Sequence, residues 1–214
     1  MKRITIMITI LMLLSILVIQ IGCGSKPAVE EVPRVINTYR QVIPASRFIG
    51  IQYGPADGGY SEKWCEWFSE GRFDVLRELS PEEEFFQYSS ATIGLMRCKE
   101  NEPFQYWIGM FLPADTPVPA GYSFIDFDRF EIAVAEVFGP APNIYWFWNE
   151  SREAIIEEFE DINIGRNKRG ELWSMERYSC PKFTTEDEAG NRILEHAFFV
   201  NHCGRCGAAC VLNQ

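Results

Sequence analysis

An α+β fold is predicted from the sequence: tandem duplicated strand-helix-strand-strand units, joined in an antiparallel sheet with two helices on one face. Three observations predict it. Tyr53-Gly54-Pro55-Ala56 leading into Tyr60 and Trp64 is echoed by Phe138-Gly139-Pro140-Ala141 leading into Tyr145 and Trp148. In each copy an apolar run enters the Gly-Pro turn and an amphipathic segment with aromatics follows it. Two further apolar runs then close each unit.

The elements follow in order. Lys2 and Arg3 precede an uncharged apolar stretch, Ile4 to Ile21, so residues 1–22 read as an export signal. Cys23 follows Gly22 and resembles the lipidated cysteine of bacterial lipoproteins, although Gln20 departs from the apolar residue usual there. An uncleaved anchor and plain secretion are the alternatives. Residues 23–46, with Pro27, Pro33 and Glu30-Glu31, read as a tether that holds an extracytoplasmic domain to a membrane through Cys23. The folded domain is expected over residues 47–201.

In the first unit, Phe48 to Tyr53 forms a strand ended by Gly54-Pro55. Ser61 then caps a helix that gathers Trp64, Trp67 and Phe68 on one face. Thr92 to Cys98 and Phe104 to Leu112 make a hairpin, and the proline-rich run Pro113 to Gly121 crosses to the second unit. There a long strand region, Ser123 to Phe138, precedes a helix capped by Asn143 and reaching Ile162. Leu172 to Tyr178 and Ile193 to Val200 are the closing strands, with a charged loop from Pro181 to Asn191 between them.

Composition narrows the functional classes. With 47% hydrophobic and 14% aromatic residues, the 214-residue chain buries a substantial core. The formal net charge of -10, with no basic cluster beyond Arg166, Lys168 and Arg169, argues against nucleic-acid binding.

Candidate chemistry sits on the strand Leu172 to Tyr178. Alternation places Ser174, Glu176 and Tyr178 on one strand face, where Glu176 is either an exposed or ion-paired residue or a buried carboxylate walled by aromatics. In the second case it favours cationic ligands. Tyr60, Trp64, Tyr145, Trp146 and Trp148, near the two equivalent turns, are the candidate walls.

The Phe138-Gly139-Pro140 strand end, the Met175-Glu176-Arg177-Tyr178 run and the final strand through Phe198-Phe199-Val200 resemble GyrI-like small-molecule-binding domains. That family includes the effector-binding domains of AraC-type and multidrug-sensing regulators. The resemblance implies a ligand cleft between two repeated halves, with Glu176 contacting the ligand. It also implies an alternative role as a small-molecule hydrolase using Glu176 and Tyr178. An export signal stands where the regulators carry a DNA-binding segment, so transcription control is not expected.

Cys23 apart, the cysteines are Cys65, Cys98, Cys180, Cys203, Cys206 and Cys210. No cofactor is required by this reading. In the tail, residues 202–214, His202, Cys203, Cys206 and Cys210 offer either ligands for zinc or a cluster, or disulfides or free thiols outside the cell, a third functional class. Cys65 and Cys98 are expected as small buried thiols and His196 as a core residue.

Overall fold

The computed structural model describes residues 32–201. The export signal at 1–22, Cys23 and the tail ligands His202, Cys203, Cys206 and Cys210 lie outside the described residues.

Eight strands and three α-helices make up the described chain: β1 Arg34–Ile43, β2 Ser46–Tyr53, α1 Tyr60–Ser69, α2 Arg72–Arg77, β3 Thr92–Lys99, β4 Gln105–Pro113, β5 Ser123–Phe127, β6 Phe130–Pro140, α3 Trp148–Glu158, β7 Glu171–Tyr178 and β8 Asn191–Phe199. All strands join one antiparallel sheet in the order β1-β6-β8-β7-β3-β4-β2-β5. The seam between β7 and β3 lies at its centre.

Two short links shape this sheet. β1 and β2 stand six strand spacings apart, roughly 29 Å if the sheet were flat. Yet only Pro44 and Ala45 join them, a span of about 11 Å at most. β5 and β6 are equally distant in the order and are joined by Asp128 and Arg129 alone. The sheet must therefore curl until its two ends approach. Ring contacts across the inside confirm the curl: Phe127 on β5 lies 5.3 Å from Phe130, 5.6 Å from Phe199 and 5.4 Å from Trp173.

Alternation then sorts side chains into an inside and an outside. Phe48, Ile93, Leu95, Phe111, Ile132, Val134, Met175 and Ala197 fill the inside. Phe85, Phe86 and Tyr88, from the irregular segment after α2, pack against that core. Outside, Tyr106, Ile108, Met110 and Leu112 receive Trp67 of α1 and Phe73 and Leu76 of α2. Ala133, Ala135 and Phe198 receive Ile155 of α3.

Several expectations change. Residues 34–43, read as tether, form β1, whose polar residues act in pairs. Tyr39 and Gln41 reach the inside, while Arg40 meets Glu131 and Asp161. The long strand region from Ser123 divides at Asp128-Arg129, because its two parts serve opposite ends of the curled sheet. The first Gly-Pro follows its strand, whereas Gly139 and Pro140 stay in β6, paired with Arg192 and Asn191 of β8. Neither predicted helix cap holds. α1 begins after Gly59 with no side-chain cap, and Asn143 opens a short 3-10 turn, Asn143–Trp146, ahead of α3. Cys65 and Cys180 are exposed and Cys98 half-buried, all three as free thiols.

Gly50 and Gly109 face each other across β2 and β4. A Cβ on Gly50 would meet the Ile108 carbonyl oxygen at 2.3 Å, and one on Gly109 the Ile49 oxygen at 2.2 Å. Backbone atoms cannot yield as a flexible side chain does. Gly109→Ala is expected to lower unfolding stability by about 3 kcal/mol, the upper end for an overpacked core, as read from urea denaturation.

Candidate functional site

β7 carries ionisable groups on both faces of the sheet. Glu176 points outward to the helices and Arg177 inward, because neighbouring strand residues face opposite ways. Each is buried, at 8% and 1% exposure, and their surroundings differ in kind.

Glu176 is held by phenols. Tyr178 donates to its Oε2 at 2.8 Å and Tyr106 to the same oxygen at 2.9 Å, while Trp64 donates to the Tyr106 oxygen at 2.8 Å. Two residues apart on one strand face, Tyr178 folds its long side chain back to reach the carboxylate directly. Gly94 lies opposite Glu176 on β3. A Cβ there would meet the Tyr106 hydroxyl at 2.4 Å and Glu176 Oε2 at 3.0 Å, so glycine provides the space in which the triad meets.

Rings close around this carboxylate from both sides. From α1, Tyr60 stacks on Tyr106 with centroids 4.3 Å apart, and Trp64 sets its ring 4.6 Å from Tyr178. From the other side Tyr145 lies 6.5 Å and Phe183 4.7 Å from Tyr178. Trp148 instead lies flat on His196, 4.0 Å away, and His196 is the cross-strand partner of Glu176. Trp146 is 82% exposed and stands outside the cluster. Of the seven residues expected at the site, the structure thus gathers Glu176, Tyr178, Tyr60, Trp64 and Tyr145, places Trp148 one residue aside, and leaves Trp146 on the surface.

Burial pushes the Glu176 carboxyl above its ordinary value, with the bonds from Tyr178 and Tyr106 pulling the other way. Among the described residues no cation pairs with it. Burial, then the charge of Glu176, raises both tyrosines, so they remain hydrogen-bond donors. Burial also holds His196 down at about 3, as a neutral ring.

The inner face carries a charge-balanced network that alternation could have flagged, since Arg177 and Glu195 neighbour the outward-facing Glu176 and His196. Arg177 donates to Glu195 at 2.8 Å and Gln41 at 2.7 Å, and also to the Tyr39 hydroxyl. Tyr39, Ser179 and Lys182 complete Glu195 at 2.6, 2.9 and 2.7 Å, and Lys182 also pairs with Glu136. Burial raises the Glu195 pKa, but Arg177, with the bonds from Arg177, Lys182 and Tyr39, outweighs it and holds the group at about 2. The segment after α2 closes over this network: Tyr88 lies beneath the Lys182 ammonium at 4.1 Å and the Arg177 guanidinium at 5.2 Å. Phe86, Tyr88, Phe111, Met175 and Arg177 border only a shallow dimple there, too small to admit a water molecule. Every Arg177 nitrogen is already engaged, so this face reads as structural.

Among the described residues no group of His, Cys, Asp and Glu could hold a metal ion, and no helix is long and apolar enough to cross a membrane.

With this geometry in place, comparison with solved structures is informative about the fold. SAV2435, solved bound to tetraphenylphosphonium, matches with a TM-score of 0.54 at 17% identity, over 77% of this chain and 94% of that one. A putative bacterial transcription regulation protein from Staphylococcus aureus MU50 matches with a TM-score of 0.50 at 17% identity, over 77% and 97% of the two chains. At such identity the likeness is one of fold. No family model and no curated protein matches the sequence.

The two faces have opposite pH signatures. Glu176, raised above its unfolded value of 4.5, stabilises the fold below that pH and loses its contribution as pH rises through the folded value. Glu195, lowered, contributes above 4.5 and loses its contribution as pH falls towards about 2. In urea denaturation at pH 8, Glu176→Gln is therefore expected to match or exceed the parent in stability, with an advantage that shrinks towards pH 4. Arg177→Met, which strands a buried carboxylate, is expected to cost about 3 kcal/mol at pH 8.

Proposed function

We propose that this chain is a GyrI-like small-molecule-binding domain that holds a lipophilic or amphipathic cation against Glu176, in the groove between two copies of one strand-helix-strand-strand unit. A single observation carries the reading. Glu176 is a buried carboxylate that meets only hydrogen-bond donors and ring faces, whereas every other charge buried near it, on the inner face, has an opposite charge in contact. A cation supplies the missing countercharge, and Tyr60, Tyr106, Trp64, Tyr145 and Tyr178 supply ring surface.

Two further observations support it. The strand order reads β6-β8-β7 on one side of the seam and β3-β4-β2 on the other, with helices following the first-formed strand of each trio. Tetraphenylphosphonium, found in SAV2435, is a cation sheathed in aromatic rings, which is the chemistry an aromatic groove with a carboxylate floor would select.

The proposed location is extracytoplasmic, with the domain tethered to a membrane through lipidated Cys23. It rests on Lys2, Arg3, the apolar stretch Ile4 to Ile21 and the Gly22-Cys23 junction. Cys23→Ala is expected to move the protein from the membrane fraction to the soluble one, as followed by fractionation and immunoblotting.

Titration calorimetry with tetraphenylphosphonium tests the binding role. Glu176→Gln is expected to weaken binding by tenfold or more, since it removes the charge while keeping the shape. Parent affinity should rise with pH as the raised carboxyl ionises, and in Glu176→Gln that rise should vanish. Unchanged affinity in Glu176→Gln would remove the basis for the proposal.

A further inference from the structure

His196 is fully buried, and its two ring nitrogens are treated differently. Nδ1 lies 2.9 Å from the Ser151 hydroxyl oxygen. Ser151 spends its own proton on the Phe147 carbonyl at 2.6 Å, so its oxygen can only accept from the imidazole. The proton therefore resides on Nδ1, and Nε2 presents a lone pair. That lone pair has no partner among the described residues.

An unsatisfied buried acceptor is costly to the fold, and its surroundings indicate what would satisfy it. Ser151 belongs to α3, which packs over β6 and β1 on the side of β8 away from β7. On the other side of β8 lies β7, where Glu176 is the direct cross-strand partner of His196 and shares its outer sheet face. Cross-strand partners on one sheet face have Cβ atoms about 5 Å apart. Trp148 lies flat on one face of the imidazole, with rings within 4° of parallel, and fixes its plane. Glu176 also has acceptor capacity to spare: both phenols bond Oε2, and Oε1 bonds no described residue.

We infer that the site is specific for cations bearing at least two N–H donors, such as primary or secondary ammonium groups, which bridge Glu176 Oε1 and His196 Nε2. This rests on the reading of Glu176 as the cation-binding group and goes beyond it. A quaternary ammonium or phosphonium neutralises the carboxylate but leaves Nε2 as unsatisfied as before. An ammonium satisfies both, one N–H to each acceptor, while its apolar substituents meet the rings of Tyr60, Trp64 and Tyr178. His196 is thus a specificity-determining residue, and Ser151 positions it by fixing the tautomer.

Calorimetry on the purified protein, with phenethylammonium and N,N,N-trimethylphenethylammonium, tests this. The parent protein is expected to bind the primary ammonium roughly tenfold more tightly, the worth of one hydrogen bond from a charged donor. His196→Phe keeps a ring on Trp148 but loses both nitrogens. In that variant the ratio should fall to about one. A second readout needs no variant: the 15N resonance of His196 Nε2 should shift on titration with phenethylammonium and stay in place with its trimethyl analogue. Equal affinities in the parent, a preference that survives His196→Phe, or a stationary Nε2 resonance overturns the inference. If phosphonium binding still depends on Glu176 in that event, only the donor requirement falls. Should neither ammonium nor phosphonium bind, the parent reading falls with it.

Discussion

Two-residue links between strands that stand six places apart are the constraint on which the rest of this structure depends. They oblige the sheet to curl, and the curl separates an enclosed interior from an outer surface that carries the helices. Because side chains alternate along a strand, adjacent residues then enter unlike environments. Glu176 and Arg177 share a peptide bond, yet one meets two phenols on the outer face and the other a carboxylate, an amide and a phenol inside the curl.

The inner face shows how a protein tolerates charge away from water. Arg177 and Lys182 are matched by Glu195 and Glu136, and Tyr39, Gln41 and Ser179 take up hydrogen-bonding positions left around them. Such a network adds little net stability compared with a well-packed apolar core, but it is intolerant of losing one member. Glu176 lacks that treatment. Its neighbours offer hydrogen bonds and ring faces but no countercharge, and this contrast along a single strand is the strongest structural argument for a ligand.

Much of this was legible in the sequence where local pattern governs. Period-two alternation placed Glu176 with Tyr178, two apolar runs either side of a polar turn identified the β3–β4 hairpin, and the spacing of Trp64 and Trp67 marked α1. What was not legible depends on contacts between distant segments. β1 reads as a polar tether because Tyr39, Arg40 and Gln41 find their partners 46 to 156 residues away. The break at Asp128-Arg129 has no glycine or proline to announce it; it exists because the two ends of the sheet converge there. Tyr106 joins Glu176 only because Gly94, on the strand between them, leaves an opening, and no local spacing links those three positions. The echo of the two Gly-Pro motifs is likewise real in sequence, although one pair follows its strand and the other stays within it.

For the cation site proposed at Glu176, the paired phenols on Oε2 bear on how tightly a guest would be held. A carboxylate in dry surroundings with no donors at all would grip a cation so strongly that departure would be slow, and would strain the fold whenever it stood empty. Tyr106 and Tyr178 act as a resident substitute for water, sharing the negative charge in the vacant state. The attraction left over for a guest is correspondingly smaller. In the proposed binding role, such an arrangement favours release over permanent capture.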